Sequence, residues 1–305
     1  MDPLTRKGVL WAFLASATMA SFLVPWKLAT QIASPPAIVL VMVSMGALIN
    51  MAIFYLDKKN RHLNLRLHKS EVIMCLSFGL LTLIGNHASA LALTFLPPSV
   101  LSSLMRTEVI FVAIMGLFFL KEKIEPLFWV GLFIVAAGTF LLSPPHGPSK
   151  DFTLGLLCAL VSTLSFSSMA ILTRKFIHKI NPIKVNGVRL FFSIGLWFII
   201  YDSNIIVKDF SADLLLYGTL AAILGPGFSR LFLMYSARHL EARLTSLIIL
   251  GSPVITLLLS TLLLLEKPHA GQILGSMLMI LGIALPLSYK PILLKIRHFK
   301  TLRNR

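Results

Sequence analysis

The chain has 305 residues, of which 56% are hydrophobic and only 13% charged, with a formal net charge of +16. Soluble domains carry about a quarter charged residues, so this composition, with a mean hydropathy of +0.85, excludes an ordinary soluble enzyme. Two cysteines, Cys75 and Cys158, both inside apolar stretches, supply no disulfide framework.

A helix that crosses a bilayer needs about 20 apolar residues. Ten stretches qualify: 8–29, 36–56, 72–94, 98–120, 126–143, 154–176, 183–202, 213–236, 244–265 and 269–288. Between them the loops are short, leaving no room for a nucleotide-binding module. The first stretch, with Arg6–Lys7 ahead of an apolar run and small residues at Ala17 and Ala20, has the outline of a signal peptide. Its counterpart deep in the chain argues against cleavage, because Gly8-Val-Leu-Trp-Ala matches Gly155-Leu-Leu-Cys-Ala. Trp11, Trp26 and Lys27 in this stretch are candidates to close its outer end. The third stretch carries Asn86 and His87. The fourth carries Arg106 and Glu108; on a continuous helix residues two apart point about 200° apart, so each needs its own partner. The seventh opens with Asn186 and Arg189, read as interfacial at the cytoplasmic end. The eighth carries Arg230, and the ninth Ser252.

The second five stretches echo the first five. The offset is 147 at the start of each half, pairing Gly8 with Gly155, Lys27 with Arg174 and Pro35 with Pro182, and it drifts to 144 at the end, pairing Glu122 with Glu266, Gly131 with Gly275 and Gly138 with Gly282. This predicts a five-helix repeat over 1–145, a Pro/Gly-rich linker at 146–152, a second five-helix repeat over 153–290 and a basic cytoplasmic tail over 291–305. An odd-numbered repeat inserts its copies with opposite orientation. Basic residues agree: 21 of the 28 collect at alternate ends of consecutive stretches, and only Lys27, Lys150, Lys208 and Lys267 lie at the others. That is the positive-inside pattern, and it puts both termini in the cytoplasm. The high pI, about 10.2, therefore reads as attraction to lipid headgroups, with no nucleic-acid partner. The fold class expected is an all-α integral membrane protein of ten transmembrane helices in two inverted five-helix repeats.

Two segments carry a family likeness. Arg106-Thr-Glu-Val-Ile-Phe-Val-Ala-Ile-Met-Gly-Leu-Phe-Phe-Leu-Lys-Glu122 ends in a glutamate and is followed by Gly131 and Gly138; Gly251-Ser-Pro-Val-Ile-Thr-Leu-Leu-Leu-Ser-Thr-Leu-Leu-Leu-Leu-Glu266 is followed by Gly275 and Gly282. Over nearly the whole chain this resembles the EamA-like family of the drug/metabolite transporter superfamily. Two departures stand out: Glu108-Val109 where the family often has proline, kept in the second copy as Pro253, and Arg106 at a position usually apolar. The resemblance implies a transporter fold and leaves the substrate open.

Charges near the bilayer centre are expensive and usually face a cavity or a partner. The substrate-binding candidates are Arg106, Glu108, Arg230, Asn86, His87, Ser252, Trp26 and Lys27, with Arg106 and Arg230 giving a positive field for a carboxylate or phosphate, which planar guanidiniums bind bidentately. Glu108 and His87 are candidates for a coupling proton. The bland alternative has Glu108 or a carbonyl neutralising Arg106 and Arg230 snorkelling to headgroups. Glu122 and Glu266, beside Lys123 and Lys267, read as helix-end residues, and the glycines permit close helix packing, within the chain or in a homodimer. No HExxH, GxSxG, paired aspartates within a span or P-loop is present, so neither catalysis, a metal nor a cofactor is expected. The function expected is secondary transport of a small anionic or zwitterionic metabolite by alternating access, in a bacterial inner membrane. The competing readings are an exporter of cationic or neutral amphipathic compounds, or a non-transporting scaffold or channel.

Overall fold

A computed structural model describes residues 3–56, 69–120, 126–141, 150–176, 181–240, 245, 248–249, 251–282 and 284–285. The basic segment 57–68, Glu122, Lys123, most of the linker, Arg243 and the tail lie outside the described residues. The described chain is all helical: α1 (Pro3–Thr30), α2 (Pro35–Leu56), α3 (Lys69–Phe95), α4 (Pro98–Met105), α5 (Glu108–Leu120), α6 (Pro126–Leu141), α7 (Lys150–Phe176), α8 (Pro182–Ile200), α9 (Asn204–Asp209), α10 (Ala212–Ala222), a π-turn (Ile223–Ser229) and α11 (Arg230–His239), then α12 (Ser252–Leu263) and α13 (Ala270–Gly282). Seven helical stretches, two of them interrupted, are long and apolar enough to cross a membrane, and the protein is a multi-pass membrane protein. Of the ten expected spans, the fifth, ninth and tenth correspond to the shorter apolar helices Trp129–Gly138, Ser252–Leu263 and Ala270–Gly282.

Local chemistry sets the helix starts. Proline leads α2, α4, α6 and α8, where its fixed φ suits the first turn and its missing N–H costs nothing. The Asn181 side chain caps α8 by accepting from the Ile183 and Lys184 N–H groups, at 3.0 and 3.2 Å. Ser211 caps α10 in the same way, accepting from Leu214 N–H at 3.0 Å.

The polarity of the packing is that of a protein in lipid. Phe13, Phe118, Phe119, Phe133, Phe198, Ile199 and Leu262 point outward, while Asn50, Arg106, Asn186, Arg189, Ser193 and Thr256 are buried. With hydrocarbon outside, apolar side chains lose nothing by exposure, and polar groups must find partners inside.

Helix contacts come in matched pairs. α1 packs on α10 and α11, and α3 packs on α7; α2 packs on α8, and α4 on α12. At Gly8 an added Cβ would meet Leu240 Cγ at 2.6 Å and His239 Cβ at 3.0 Å; at Gly155 it would meet Leu96 Cγ at 2.7 Å and Phe95 Cβ at 3.0 Å. At Gly138 it would meet the Gly275 carbonyl at 2.7 Å, and at Gly282 the Gly131 carbonyl at 2.7 Å. Each of these glycines therefore lets another helix approach within the chain.

Candidate functional site

Two interruptions shape the interior. The fourth expected span is not one helix. α4 stops at Met105 and α5 starts at Glu108. Between them the Arg106 and Thr107 N–H groups bond to the Ser103 and Leu104 carbonyls at 3.0 Å each, and the Val109 and Ile110 N–H groups to Arg106 and Thr107 carbonyls at 3.2 and 2.9 Å. Such three-residue spacing tightens the turn relative to an α-helix. Hydroxyls contribute: Ser103 Oγ donates to the Ser99 carbonyl at 3.1 Å and Thr107 Oγ1 to the Leu104 carbonyl at 2.7 Å, offering the backbone alternatives to helix bonds. The 200° separation of a continuous helix therefore does not govern Arg106 and Glu108. Arg106 is 5% exposed. Its Nε donates to the Ser102 carbonyl at 3.4 Å and its Nη2 lies 3.3 Å from Met19 Sδ. Half-buried Glu108 opens α5, and its charge bears on both Arg106 and Arg230. Ser167 on α7 donates to the Glu108 carbonyl at 3.3 Å.

The second interruption is the π-turn over Ile-Leu-Gly-Pro226-Gly-Phe-Ser, whose end is marked by the Arg230 N–H reaching back five residues to the Gly225 carbonyl. Proline inside a helix removes a donor and crowds the carbonyl four residues earlier. Here an added Cβ at Gly227 would lie 2.7 Å from the Ala222 carbonyl, so this crowded turn needs glycine. The Pro226 carbonyl is taken by side chains: Asn50 Nδ2 donates to it at 3.2 Å and Asn186 Nδ2 at 2.8 Å. Asn186 also donates to Asn50 Oδ1 at 2.7 Å, and Arg189 Nε donates to Asn186 Oδ1 at 2.8 Å. Arg189 Nη1 completes the chain with a short hydrogen bond to Thr82 Oγ1. Arg230, the first residue after the turn, is placed by it. Its Nε and Nη2 are buried and have no hydrogen-bond partner among the described residues. Each charge of this kind costs about 2.5–3.5 kcal/mol at a bilayer centre.

Asn186 is the hub of that network, so Asn186→Leu leaves Asn50 Oδ1, the Pro226 carbonyl and Arg189 Nε each short of a partner. An unsatisfied buried group costs about 1–3 kcal/mol. The variant is expected to melt well below the parent in detergent, whereas Ile199→Val, on a side chain 80% exposed, leaves melting unchanged. Equal melting of both variants would refute the hub role.

The remaining candidates divide. Ser252 opens α12 with its hydroxyl buried and unpartnered among the described residues. One turn on, Thr256 Oγ1 lies 3.1 Å from both the Ser252 carbonyl and Ser102 Oγ, which ties the head of α12 to α4. Asn86 is buried one turn from Thr82 and donates to the Thr82 carbonyl at 2.7 Å. Trp26 is fully buried and donates to Ser89 Oγ at 3.3 Å. His87 faces another way: its Nδ1 is 3.3 Å from Tyr201 Oη and the two rings stack at 5.5 Å. Lys27 donates to the Leu93 and Leu96 carbonyls at the end of α3, where a cation offsets the exposed carbonyls and the dipole. The opposing charge there is Glu266, whose Oε2 is buried without a partner among the described residues. Lys27 and Glu266 thus form a separate group, while Glu108 is the acid whose charge bears on both Arg106 and Arg230.

Arg189 and Asn186 were expected at an interface; they are 3% and 0% exposed. The reason is the length of α8, which carries them a turn or more inward from its Asn181 cap toward Thr82 and Pro226. A signal for Arg189 lay in the charge pattern. Once the 25 basic residues at stretch ends are set aside, the three left of 28 are Arg106, Arg189 and Arg230.

Comparison with known proteins adds a lineage to this geometry. Residues 6–143 and 153–288 each match the EamA-like transporter family. A protein of Archaeoglobus fulgidus described as an uncharacterized transporter is 29% identical over 192 residues, which is 62% of this chain and 67% of that one. The crystal structure of another protein superposes with a TM-score of 0.64 at 18% identity, covering 92% of this chain and 95% of that one; at that identity the likeness speaks to fold.

Proposed function

The chain belongs to the EamA-like transporter family, and from that premise we propose that it is a secondary carrier moving a small anionic or zwitterionic metabolite across the membrane by alternating access. The observation that carries the anionic preference is Arg230, whose buried Nε and Nη2 donors lack any partner among the described residues while it shares Glu108 with Arg106. A planar guanidinium with free donors matches a carboxylate or phosphate edge. Interrupted helices at the site support the reading, since discontinuous spans recur at transporter binding sites.

The architecture we propose has ten spans in two inverted five-helix repeats, 1–145 and 153–290. Its supports are the two separate family matches and the exchanged glycine contacts, in which Gly8 meets Leu240 as Gly155 meets Leu96, and Gly138 meets Gly275 as Gly282 meets Gly131. Sequence twins that swap partners are what a two-fold axis in the membrane plane produces. Positive-inside counting then places both termini in the cytoplasm, and a bacterial inner membrane is the setting. Rocking of the halves around the centre would alternate its access. We assign the coupling proton to Glu108, the one carboxylate at the centre among the described residues, since the His87 ring is engaged by Tyr201.

Two measurements test this. In the first, melting of the detergent-purified protein is followed against anions, zwitterions, cations and neutral compounds. A ligand at about 100 times its dissociation constant stabilises by about 2.7 kcal/mol. Stabilisation by anions is expected; stabilisation by cations or neutral amphipaths alone would move the assignment to an exporter of those compounds. In the second, proteoliposomes are expected to show saturable counterflow, driven by a pH gradient in the parent and not in Glu108→Gln. Non-saturable flux would mean a channel, and persistent proton drive in Glu108→Gln would remove Glu108 from coupling.

A further inference from the structure

The anion site contains more positive charge than a single carboxylate balances. Arg106 meets a backbone carbonyl and a thioether. Arg189 meets the neutral oxygens of Asn186 and Thr82. Arg230 leaves two donors unmet among the described residues. Asn186, which holds Arg189, also donates to the Pro226 carbonyl four residues before Arg230, so the charges of Arg189 and Arg230 bear on one another, and the charge of Glu108 bears on Arg106 and Arg230. Other acids among the described residues are committed elsewhere or exposed. Glu71 pairs with Lys184 at 3.6 Å, Asp209 accepts from Ser34, Asp202 accepts from Asn204, and Glu266 faces Lys27; Asp151 and Asp213 are exposed. Arg106 and Arg230 thus share one carboxylate, Arg189 meets only neutral oxygens, and among the described residues the imbalance is two positive charges.

We propose that the centre takes a small dianion, either a dicarboxylate or a phosphate monoester, and that Arg189 is the specificity-determining residue that separates dianions from monoanions. The proposal rests on the carrier reading and deepens it. A monoanion closes only half of the imbalance. A dianion closes all of it and supplies the acceptors that Arg230 lacks. Arg189 is preorganised for such a ligand. Its Nε is fixed by Asn186, itself fixed by Asn50 and the Pro226 carbonyl, so the guanidinium is oriented before any ligand arrives.

The test uses the full chain in detergent at about pH 8, where the probes are fully ionised. The probes are succinate and malonate, glycerol 3-phosphate, lactate and acetate, and alanine, each titrated while melting is followed. The expected result is half-maximal stabilisation at a concentration at least about tenfold lower for dianions than for lactate or acetate. Success with succinate alone, or with glycerol 3-phosphate alone, assigns the carboxylate or phosphate form. Arg189→Gln is expected to bring the dianion-to-monoanion ratio close to one, and Arg189→Lys to keep most of it. Equal response to mono- and dianions by the parent, no response to either dianion class, or an unchanged ratio in Arg189→Gln would overturn the proposal. Should Arg189→Gln fail to fold, the parent's own ratio and that of Arg189→Lys decide. The carrier reading is scored separately, by trans-stimulated release from proteoliposomes. Exchange of lactate as fast as succinate sinks the dianion and leaves the carrier; dianion binding without exchange keeps the site and sinks the carrier.

Discussion

Replacing Arg230 with glutamine is expected to lower counterflow of the preferred anion about 30-fold to several-thousand-fold while leaving the melting temperature close to that of the parent. Removing one side of a buried charged contact costs about 2–5 kcal/mol, which spans that range of rate or affinity. The reason melting should hold is particular to this residue. Arg230 Nε and Nη2 make no hydrogen bond among the described residues, so their removal breaks none there, and a costly buried charge is removed. Arg230 follows the π-turn at the head of α11, and glutamine keeps helix propensity there. Asn186→Leu provides the contrast, because its loss falls on stability first. A counterflow rate in Arg230→Gln within about threefold of the parent, with protein of parental melting, would exclude the residue from substrate binding and return it to the headgroup-facing role.

Gly138→Ala is expected to destabilise the protein by about 1–3 kcal/mol, the usual range for overpacking, and Gly138→Leu to abolish folded yield. An added Cβ would lie 2.7 Å from the Gly275 carbonyl, 2.8 Å from Met279 Cγ and 3.0 Å from Met279 N. Two of those atoms are backbone of α13, which cannot step aside without moving the helix. Gly282→Ala should cost a similar amount, since its Cβ would meet the Gly131 carbonyl at 2.7 Å and Val135 N at 3.0 Å. The control is Gly195→Ala, where no heavy atom lies within 4 Å; there the narrower range of unfolded conformations should stabilise by a few tenths to about 1 kcal/mol. Size-exclusion thermal stability of the three variants reads this directly. Tolerance of alanine at both Gly138 and Gly282 would show that α6 and α13 do not approach this closely. Matched losses at the two sites would also support the exchanged, two-fold arrangement of the repeats, because unrelated contacts have no cause to cost the same.

Much of the architecture was legible from residues alone. Apolar runs of bilayer length mark membrane helices whatever their neighbours, because lipid imposes the same demand on every span. Seven of the runs are long apolar helical stretches, two of them interrupted, and three others are shorter helices. Alignment of the halves singled out Gly131, Gly138, Gly275 and Gly282, and within the chain they serve close helix packing. Arg106, Glu108 and Arg230 were conspicuous because charge is rare inside a span.

The rest needed three dimensions. Composition could not show that the helix breaks between Met105 and Glu108, because the break depends on hydroxyls bonding to carbonyls that an α-helix would otherwise use. It could not show that the Pro226 carbonyl, released by the π-turn, is claimed by Asn50 and Asn186 from two other helices. It placed Arg189 at an interface because depth along a span counted from the chain does not reveal which helices enclose it. Lys27, a site candidate by charge, is committed to the end of α3, and His87 to Tyr201. The sequence by itself determined that the chain lives in lipid, which stretches are apolar enough to cross it and which few charges must be sheltered, since those follow from transfer free energy residue by residue. Only the tertiary structure decided which sheltered charges are already satisfied and which keep unmet donors among the described residues, since a hydrogen bond or an unmet donor belongs to a pair of helices and to neither sequence segment alone.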